Sequence, residues 1–213
     1  MKKLQHIIMI ALILLGLVTP ALAQEQTDDF NVSAKHAIAI EATTGKVLYE
    51  KDATTPDGVA SMTKILTAYM VYKAVDQGKI TWDTEVDISD YPFNLTVDSE
   101  VSNVPLDSRK YTVKQLLDAT LISSANSAAI ALAEKISGSE SAFVDTMTAQ
   151  LKEWGITDAK LYNASGLNNK YLGDNRYPGS KPDDENTMSA LDGAIIADRL
   201  IKEYRSEEHT SEL

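Results

Sequence analysis

The order of hydrophobic and polar positions at the start of the domain predicts a hairpin followed by a helix. Two short apolar runs, 36–41 and 46–51, flank a turn that contains Gly45, an arrangement typical of a β-hairpin. Across 60–77, apolar side chains recur at intervals of three and four residues, which is the pattern of an amphipathic helix. Gly78 follows directly and favours an end to the helix there.

Further helices are predicted in the second half of the chain, at about 112–122, 127–136, 141–154 and 189–204. Thr112-Val-Lys-Gln115 has the spacing of a capping box that begins the first of them. Ser189-Ala-Leu-Asp192 has the spacing of a helix start in the same way. The stretch 79–110 predicts short strands and loops, and 156–186 is polar and predicts an irregular loop.

The N-terminal segment has the features of a secretory signal peptide, which we assign to residues 1–23. Two lysines precede an apolar run from Ile7 to Val18, and Ala-Leu-Ala at 21–23 matches a cleavage site. The run is short for a membrane span, which needs about 20 residues, although an uncleaved anchor is the alternative. Residues 24–35 are polar and predict a short leader. We therefore expect a secreted, extracytoplasmic protein.

The last nine residues, 205–213, differ in character from the helix pattern that precedes them. They show no apolar periodicity and resemble the conceptual translation of a sequencing-library adapter. We expect a non-native tail here, and a natural polar tail is the alternative. The expected domain then covers 36–204.

Composition and charge narrow the classes of function. With 44% hydrophobic and 24% charged residues, the chain has the composition of a globular protein. Its formal net charge of −11 disfavours nucleic acid as a partner, because phosphates would be repelled. Cysteine is absent, which excludes thiolate nucleophiles and zinc–thiolate sites. Of the three histidines only His36 falls within the expected domain, which disfavours a Ser-His-Asp triad and a histidine-rich metal site.

The Ser-x-x-Lys sequence formed by Ser61 and Lys64 is the first candidate for catalysis. It lies at the start of a predicted helix, where residues three apart share a face. A serine hydroxyl needs a base to take its proton, and a lysine whose pKa is lowered by burial can serve. The alternative is a helix-capping serine followed by an exposed lysine, and the spacing alone leaves both open.

A second candidate lies where two predicted helices are separated, at Ser124-Ala-Asn126. A hydroxyl at Ser124 could relay a proton between Lys64 and a leaving group. The amide of Asn126 could bind a substrate peptide group, since it both donates and accepts hydrogen bonds. Helix capping by either residue is the alternative.

Together these sequences resemble the serine D-Ala-D-Ala carboxypeptidases, which are low-molecular-mass penicillin-binding proteins. The resemblance covers about residues 36–204 and is carried by the segments Ala60–Lys64, Leu121–Glu134, Asn163–Leu167 and Gly173–Gly179 behind the signal peptide. It implies an α/β (α+β) fold of the serine β-lactamase/transpeptidase type, in which helices flank an antiparallel sheet and form a helical subdomain.

The resemblance also implies an activity for the parent protein, namely removal of the terminal D-Ala from the pentapeptide stems of peptidoglycan. Ser61 would attack the penultimate D-Ala, Lys64 would accept its proton, and Ser124 would pass a proton to the leaving D-Ala. Asn126 would orient the substrate. The implied partners are the stem peptide and, as covalent inhibitors acylating Ser61, β-lactam antibiotics. No metal or organic cofactor is implied.

One motif of the family does not occur in this sequence. Lys-Thr-Gly, which the family carries on a later strand of the sheet, is absent. We expect that strand, a C-terminal β-domain and an amphipathic membrane anchor to belong beyond residue 204 and to be missing. Contact with a membrane surface would then come only through the missing anchor, and the first strand of the hairpin would lack a partner on one side.

Two other functions remain open at this point. A class A-type β-lactamase would share the fold but needs a deacylating glutamate, and Glu185 is the only glutamate between Glu153 and Glu203. The second alternative is a catalytically inactive module that binds β-lactams or peptidoglycan.

Overall fold

Six helices and six short strands make up the part of the chain described by the computed structural model, which covers residues 31–97 and 100–208. The helices are α1 (Thr63–Asp76), α2 (Asp90–Leu95), α3 (Val113–Ile122), α4 (Asn126–Ser137), α5 (Glu140–Glu153) and α6 (Ala190–Glu208). The strands are β1 (Ala37–Ile40), β2 (Val47–Lys51), β3 (Asp57–Gly58), β4 (Glu85–Asp87), β5 (Lys110–Thr112) and β6 (Thr187–Met188). This mixture is of the predicted α/β (α+β) class.

Helix α1 is buried on two faces, because a separate apolar cluster packs against each of them. Leu66 and Met70 belong to a cluster built with α5 and α6. Ala68 and Val71 belong to the other cluster, built with α3 and α4. Full burial of each large aliphatic side chain contributes about 1.5–3 kcal/mol. The start of α1, which carries Lys64 and directly follows the turn with Ser61, is therefore held from both sides.

The strands form three antiparallel pairs, β1–β2, β3–β6 and β4–β5. In the first, Ala37 pairs with Lys51 and Ile40 with Val47, so the predicted hairpin is confirmed. Among the described residues β1 pairs with β2 alone, and α6 packs against it. The β3–β6 pair is only two residues long, too short for a sequence pattern, and it joins the segment before Ser61 to the segment before α6.

The predicted helices are confirmed, and two of their starts are reciprocal caps. Thr112 and Gln115 form the predicted capping box. At the start of α6, the Ser189 N–H donates to Asp192 Oδ2 at 2.8 Å and the Asp192 N–H donates to Ser189 Oγ at 3.1 Å. Helix α2 was not predicted, because it is six residues long and contains Pro92; proline is tolerated there since it lies in the first turn.

The two ends are only partly covered. The predicted signal peptide, residues 1–23, lies outside the described residues, as do residues 24–30 of the leader and 209–213 of the predicted tail. Helical backbone continues to Glu208, past the predicted end at Tyr204, where φ of −126° departs from helical geometry. No helix in residues 31–97 and 100–208 combines the length and the hydrophobicity needed to cross a membrane.

Candidate active site

The amine of Lys64 brings three of the four predicted site residues together. Its Nζ lies 3.1 Å from Ser61 Oγ and 2.7 Å from Asn126 Oδ1. A third contact, also 2.7 Å, is to the main-chain carbonyl oxygen of Ser165. The Lys64 residue is only 2% exposed, so this amine is almost completely withdrawn from water.

Ser61 is held at the surface by the turn that leads into α1. It lies in the single 3-10 turn Ala60–Met62, which Ala60 enters with a positive φ of 42°. Helix α1 itself begins at Thr63, and no side chain caps it. Ser61 Oγ contacts Lys64 Nζ and caps no helix, and Lys64 is buried where the alternative has an exposed lysine. The structure therefore decides against the capping alternative for this pair.

Burial lowers the pKa of the Lys64 amine from 10.5 to about 8. A neutral amine has two N–H groups and one lone pair. Asn126 Oδ1 and the Ser165 carbonyl oxygen only accept hydrogen bonds, so they engage the two N–H groups. As an ammonium, Lys64 also donates to Ser61 Oγ at 3.1 Å; once the amine is neutral, the position facing Ser61 Oγ is its lone pair, which can accept the serine proton. Such an arrangement can pair a serine nucleophile with a lysine base.

The side-chain amide of Asn126 is fixed in the orientation that this arrangement needs. Its Nδ2 donates to the carbonyl oxygen of Ser102 at 2.9 Å, and its main-chain N–H donates to the same oxygen at 3.0 Å. Oδ1 is thereby turned toward Lys64. Asn126 is the first residue of α4 and does not cap that helix, so the capping alternative is wrong for this residue.

Ser124 lies in the break between α3 and α4 with a positive φ of 54°. Such a backbone is uncommon for a residue with a side chain and is often found at functional sites. Ser124 is partly exposed, and its hydroxyl makes no hydrogen bond to another described residue. Ser124 therefore shares the helix break with Asn126, but no hydrogen bond joins it to Ser61 or Lys64 in the structure.

The loop Asn163–Leu167 supplies the contact that sequence reasoning missed. Asn163 Oδ1 accepts from the N–H of Gly166 at 2.7 Å, and its Nδ2 donates to the Leu167 carbonyl at 2.7 Å, which closes the loop on itself. Ser165 then reaches Lys64 through a carbonyl oxygen. Every residue has that group, so no side-chain pattern in the sequence could have pointed to it.

Gly166 brings this loop against the turn that carries Ser61. It has φ of +77°, and a Cβ at this position would lie 1.7 Å from the carbonyl oxygen of Ala60. Only glycine allows so close an approach. The Thr67 hydroxyl donates to the Ala164 carbonyl at 2.6 Å and ties the loop to α1 as well.

The comparison with protein families bears directly on this arrangement. A family model described as D-alanyl-D-alanine carboxypeptidase, Peptidase_S11, matches residues 22–212. The chain belongs to this family.

Relatives within the D-alanyl-D-alanine carboxypeptidases agree with this assignment. D-alanyl-D-alanine carboxypeptidase DacF of Bacillus subtilis is 34% identical over 205 residues, which are 95% of this chain and 48% of that protein. DacC of Escherichia coli is 32% identical over 69% of this chain and 38% of its own length. The chain thus spans about half the length, or less, of these curated relatives.

Solved structures confirm the predicted transpeptidase-like fold. A peptidoglycan synthesis regulatory factor (PBP3) from Streptococcus pneumoniae is 63% identical, with a TM-score of 0.82 over 83% of this chain and 49% of that chain. Penicillin-binding protein D2 from Listeria monocytogenes, solved in its cefotaxime-bound form, is 25% identical, with a TM-score of 0.69 over 84% of this chain and 66% of its own.

Glu185 and His36, the two other residues considered in the sequence analysis, lie away from the hydrogen bonds of Lys64. Glu185 is exposed and lies against Gly58 of β3, where an added Cβ would come within 2.8 Å of Oε1. Among the described residues no glutamate hydrogen-bonds to Ser61 or Lys64. His36 Nδ1 lies 2.8 Å from the Asp52 carbonyl oxygen at the start of the hairpin. Neither Glu185 nor His36 is joined to the Lys64 amine by a hydrogen bond.

Proposed function

We propose that the protein is a serine-type D-Ala-D-Ala carboxypeptidase that removes the terminal D-Ala from peptidoglycan pentapeptide stems. The observation that carries this proposal is the buried Lys64 amine, which faces the hydroxyl of the exposed Ser61 and is fixed by two acceptors. Membership of the D-alanyl-D-alanine carboxypeptidase family supports it.

In the acylation step, neutral Lys64 takes the proton of the Ser61 hydroxyl as Ser61 Oγ bonds to the carbonyl carbon of the penultimate D-Ala. The carbonyl oxygen becomes an oxyanion, for which the main-chain N–H of Ser61 is one donor. The C–N bond then breaks. The departing D-Ala nitrogen receives the proton that Lys64 had taken, and Ser124 relays it. The products are free D-Ala and an ester on Ser61.

In the deacylation step, a water molecule attacks the ester carbonyl and loses a proton to Lys64 or Ser124. The Ser61 oxygen leaves and regains that proton, so the enzyme returns to its starting state. Asn126 binds the substrate main chain through the remaining hydrogen-bonding positions of its amide oxygen and NH₂, beside those that Lys64 and Ser102 occupy. No step in this sequence needs a cofactor.

β-Lactams are proposed to acylate Ser61 by the same first step. Their strained amide takes the place of the D-Ala-D-Ala bond, and Oγ forms an ester with the opened ring. Support comes from the neighbouring penicillin-binding protein D2 structures, which are described as ampicillin-bound and cefotaxime-bound forms.

The proposed substrate lies outside the cytoplasmic membrane, so we also propose an extracytoplasmic location. The features of residues 1–23 support secretion by cleavage of a signal peptide. N-terminal sequencing of the secreted protein tests this assignment, and a mature chain that begins near Gln24 is the expected result.

Release of D-Ala from a synthetic pentapeptide ending in D-Ala-D-Ala tests the activity. The wild-type protein should release D-Ala, and Ser61→Ala should not, whereas the exposed Ser108 offers the matched control Ser108→Ala. Lys64→Met, with Lys73→Met on the same helix as its control, should slow release by about 10²–10⁴-fold, the typical contribution of general-base catalysis. Rapid turnover of benzylpenicillin without D-Ala release would favour a β-lactamase instead, and acylation without turnover of either compound would favour a binding module.

A further inference from the structure

Glu140 is a buried carboxyl group that the mechanism proposed above does not use. It is the first residue of α5 and is only 6% exposed. Its Oε1 accepts from the main-chain N–H of Ala164 at 2.9 Å, and its Oε2 accepts from the Tyr91 hydroxyl at 2.9 Å. Both oxygens are therefore directed at other segments of the chain.

The bond to Ala164 fixes the peptide groups that present the Ser165 carbonyl. Glu140 holds the N–H of Ala164, and the Thr67 hydroxyl holds the Ala164 carbonyl at 2.6 Å. These two bonds restrain the peptide groups on both sides of Ala164. The N–H of Gly166, which shares a peptide group with the Ser165 carbonyl, donates to Asn163 Oδ1 at 2.7 Å, so the turn holds that carbonyl in place. The same carbonyl accepts from Lys64 Nζ.

The bond to Tyr91 reaches the other segment that positions the Lys64 amine. Tyr91 lies in α2, within the chain between β4 and β5. The same stretch carries Ser102, whose carbonyl oxygen orients the Asn126 amide. Glu140 thus hydrogen-bonds to both segments that position the acceptors of Lys64. One is the loop with the Ser165 carbonyl, and the other is the stretch that orients Asn126 Oδ1.

Capping of α5 does not account for a carboxyl group at this position, because Ser139 already caps α5 through its side chain. Burial raises the pKa of Glu140 to about 7, and Glu134 of α4 adds to the shift, so an ionised Glu140 costs the fold stability. An apolar residue of similar volume would avoid that cost but would leave the Ala164 N–H and the Tyr91 hydroxyl without these acceptors. What the carboxyl group supplies is therefore these two hydrogen bonds.

We infer that Glu140 is a positioning residue for the acyl transfer proposed above, an inference that rests on that proposed function. It holds the Ser165 carbonyl against the Lys64 amine and so keeps the Lys64 lone pair directed at Ser61. Loss of its two hydrogen bonds should slow the chemical step more than it weakens ligand binding.

Four variants separate positioning from stability. Glu140→Leu removes both hydrogen bonds at similar volume. Glu140→Asp keeps the charge but shortens the side chain by one methylene. Glu140→Gln keeps both bonds, since its amide oxygen accepts from Ala164 and its NH₂ donates to the Tyr91 oxygen. Val144→Ala, in the buried face of the same helix, lowers stability without removing a hydrogen bond to the loop.

The measurements are the first-order acylation rate constant and the non-covalent dissociation constant for a fluorescent penicillin, obtained separately from rapid-mixing kinetics. Melting temperatures and hydrogen exchange at the Ala164 amide are recorded on the same proteins. Glu140→Leu and Glu140→Asp should lose at least about tenfold in acylation rate constant, with the dissociation constant within about threefold of wild type. Glu140→Gln should stay within about threefold in both. Protection of the Ala164 amide should fall in the first two variants only.

Acylation rate constants for Glu140→Leu and Glu140→Asp within about threefold of that for Val144→Ala would overturn the inference while leaving the proposed function intact. If Glu140→Leu does not fold, Glu140→Asp alone decides. A wild-type protein that no penicillin acylates at Ser61 would overturn the proposed function and this inference with it.

Discussion

Lys64 Nζ lies 2.7 Å from the carbonyl oxygen of Ser165, although 101 positions separate the two residues in the chain. The other acceptor, Asn126 Oδ1, lies at the same distance from the amine and comes from 62 positions away. Three separate segments therefore build the surroundings of one amine. Because both acceptors lack a proton to give, they leave the lone pair of the neutral amine to Ser61.

Acylation of Ser61 should follow the ionisation of Lys64. Burial lowers the pKa of this amine to about 8, so the ammonium form predominates below that pH and cannot accept a proton. The rate of labelling by a fluorescent penicillin should rise about tenfold per pH unit below about pH 8 and level off above it. A rate that stays constant between about pH 6 and 9 would contradict the assignment of Lys64 as the base.

Asn126→Asp should move this pH dependence to higher pH. The new carboxylate would lie about where Asn126 Oδ1 now lies, 2.7 Å from the amine, and would stabilise the ammonium form. An adjacent opposite charge shifts a pKa by about 1–3 units, so the midpoint of the labelling rate should rise by that amount. Asn94→Asp adds the same charge at an exposed position that makes no hydrogen bond to Lys64, and its profile should match the wild type. A midpoint unchanged in Asn126→Asp would show that the two side chains do not interact in solution.

Much of this arrangement could be predicted from the sequence, and the missing parts share a physical reason. Helices α1 and α3 to α6 are long and periodic enough to be recognised, and Ser61, Lys64 and Asn126 carry side chains whose chemistry suggested their roles. The carbonyl of Ser165 carries no such signal, because its function depends on main-chain orientation. The isolated sequence likewise gives no sign that Glu140 is buried beside Ala164, a neighbour 24 positions away.

Gly166→Ala should disrupt the site by displacing the loop from the turn before α1. An added methyl group would lie 1.7 Å from the Ala60 carbonyl oxygen, so the main chain must shift. Gly179 is the matched control, since it has a similar φ of +82° but no atom within 4 Å of an added Cβ.

Urea unfolding and penicillin labelling measure the effect of these two substitutions. Gly179→Ala should lose only the conformational cost, about 1–2 kcal/mol, and keep its labelling rate. Gly166→Ala should lose clearly more stability and should be labelled slowly or not at all. Equal losses in the two variants would mean that the close approach of Gly166 to Ala60 is not maintained in solution.

Glu140→Gln should change how stability depends on pH. Because burial raises the pKa of Glu140 from 4.5 to about 7, the folded state binds this proton more tightly than the unfolded state. The free energy of unfolding therefore falls as pH rises from about 4.5 through about 7, by at most about 3 kcal/mol from this group. Glutamine does not ionise, so the substitution removes this pH dependence of stability.

The comparison is made by urea unfolding of wild type and Glu140→Gln at about pH 5 and about pH 8. The stability of the variant relative to wild type should be greater at the higher pH, by about 1–3 kcal/mol. A difference between the two proteins that is the same at both pH values would show that Glu140 titrates normally and is not buried as described.

The most direct test of the central claim, that Ser61 is the nucleophile and Lys64 its base, is peptide mapping by mass spectrometry after brief exposure to benzylpenicillin. We expect a single covalent adduct, on the peptide that contains Ser61, and no adduct in Ser61→Ala. Lys64→Met should acquire the same adduct far more slowly. An adduct on another residue, or an adduct that persists in Ser61→Ala, would show that Ser61 is not the nucleophile.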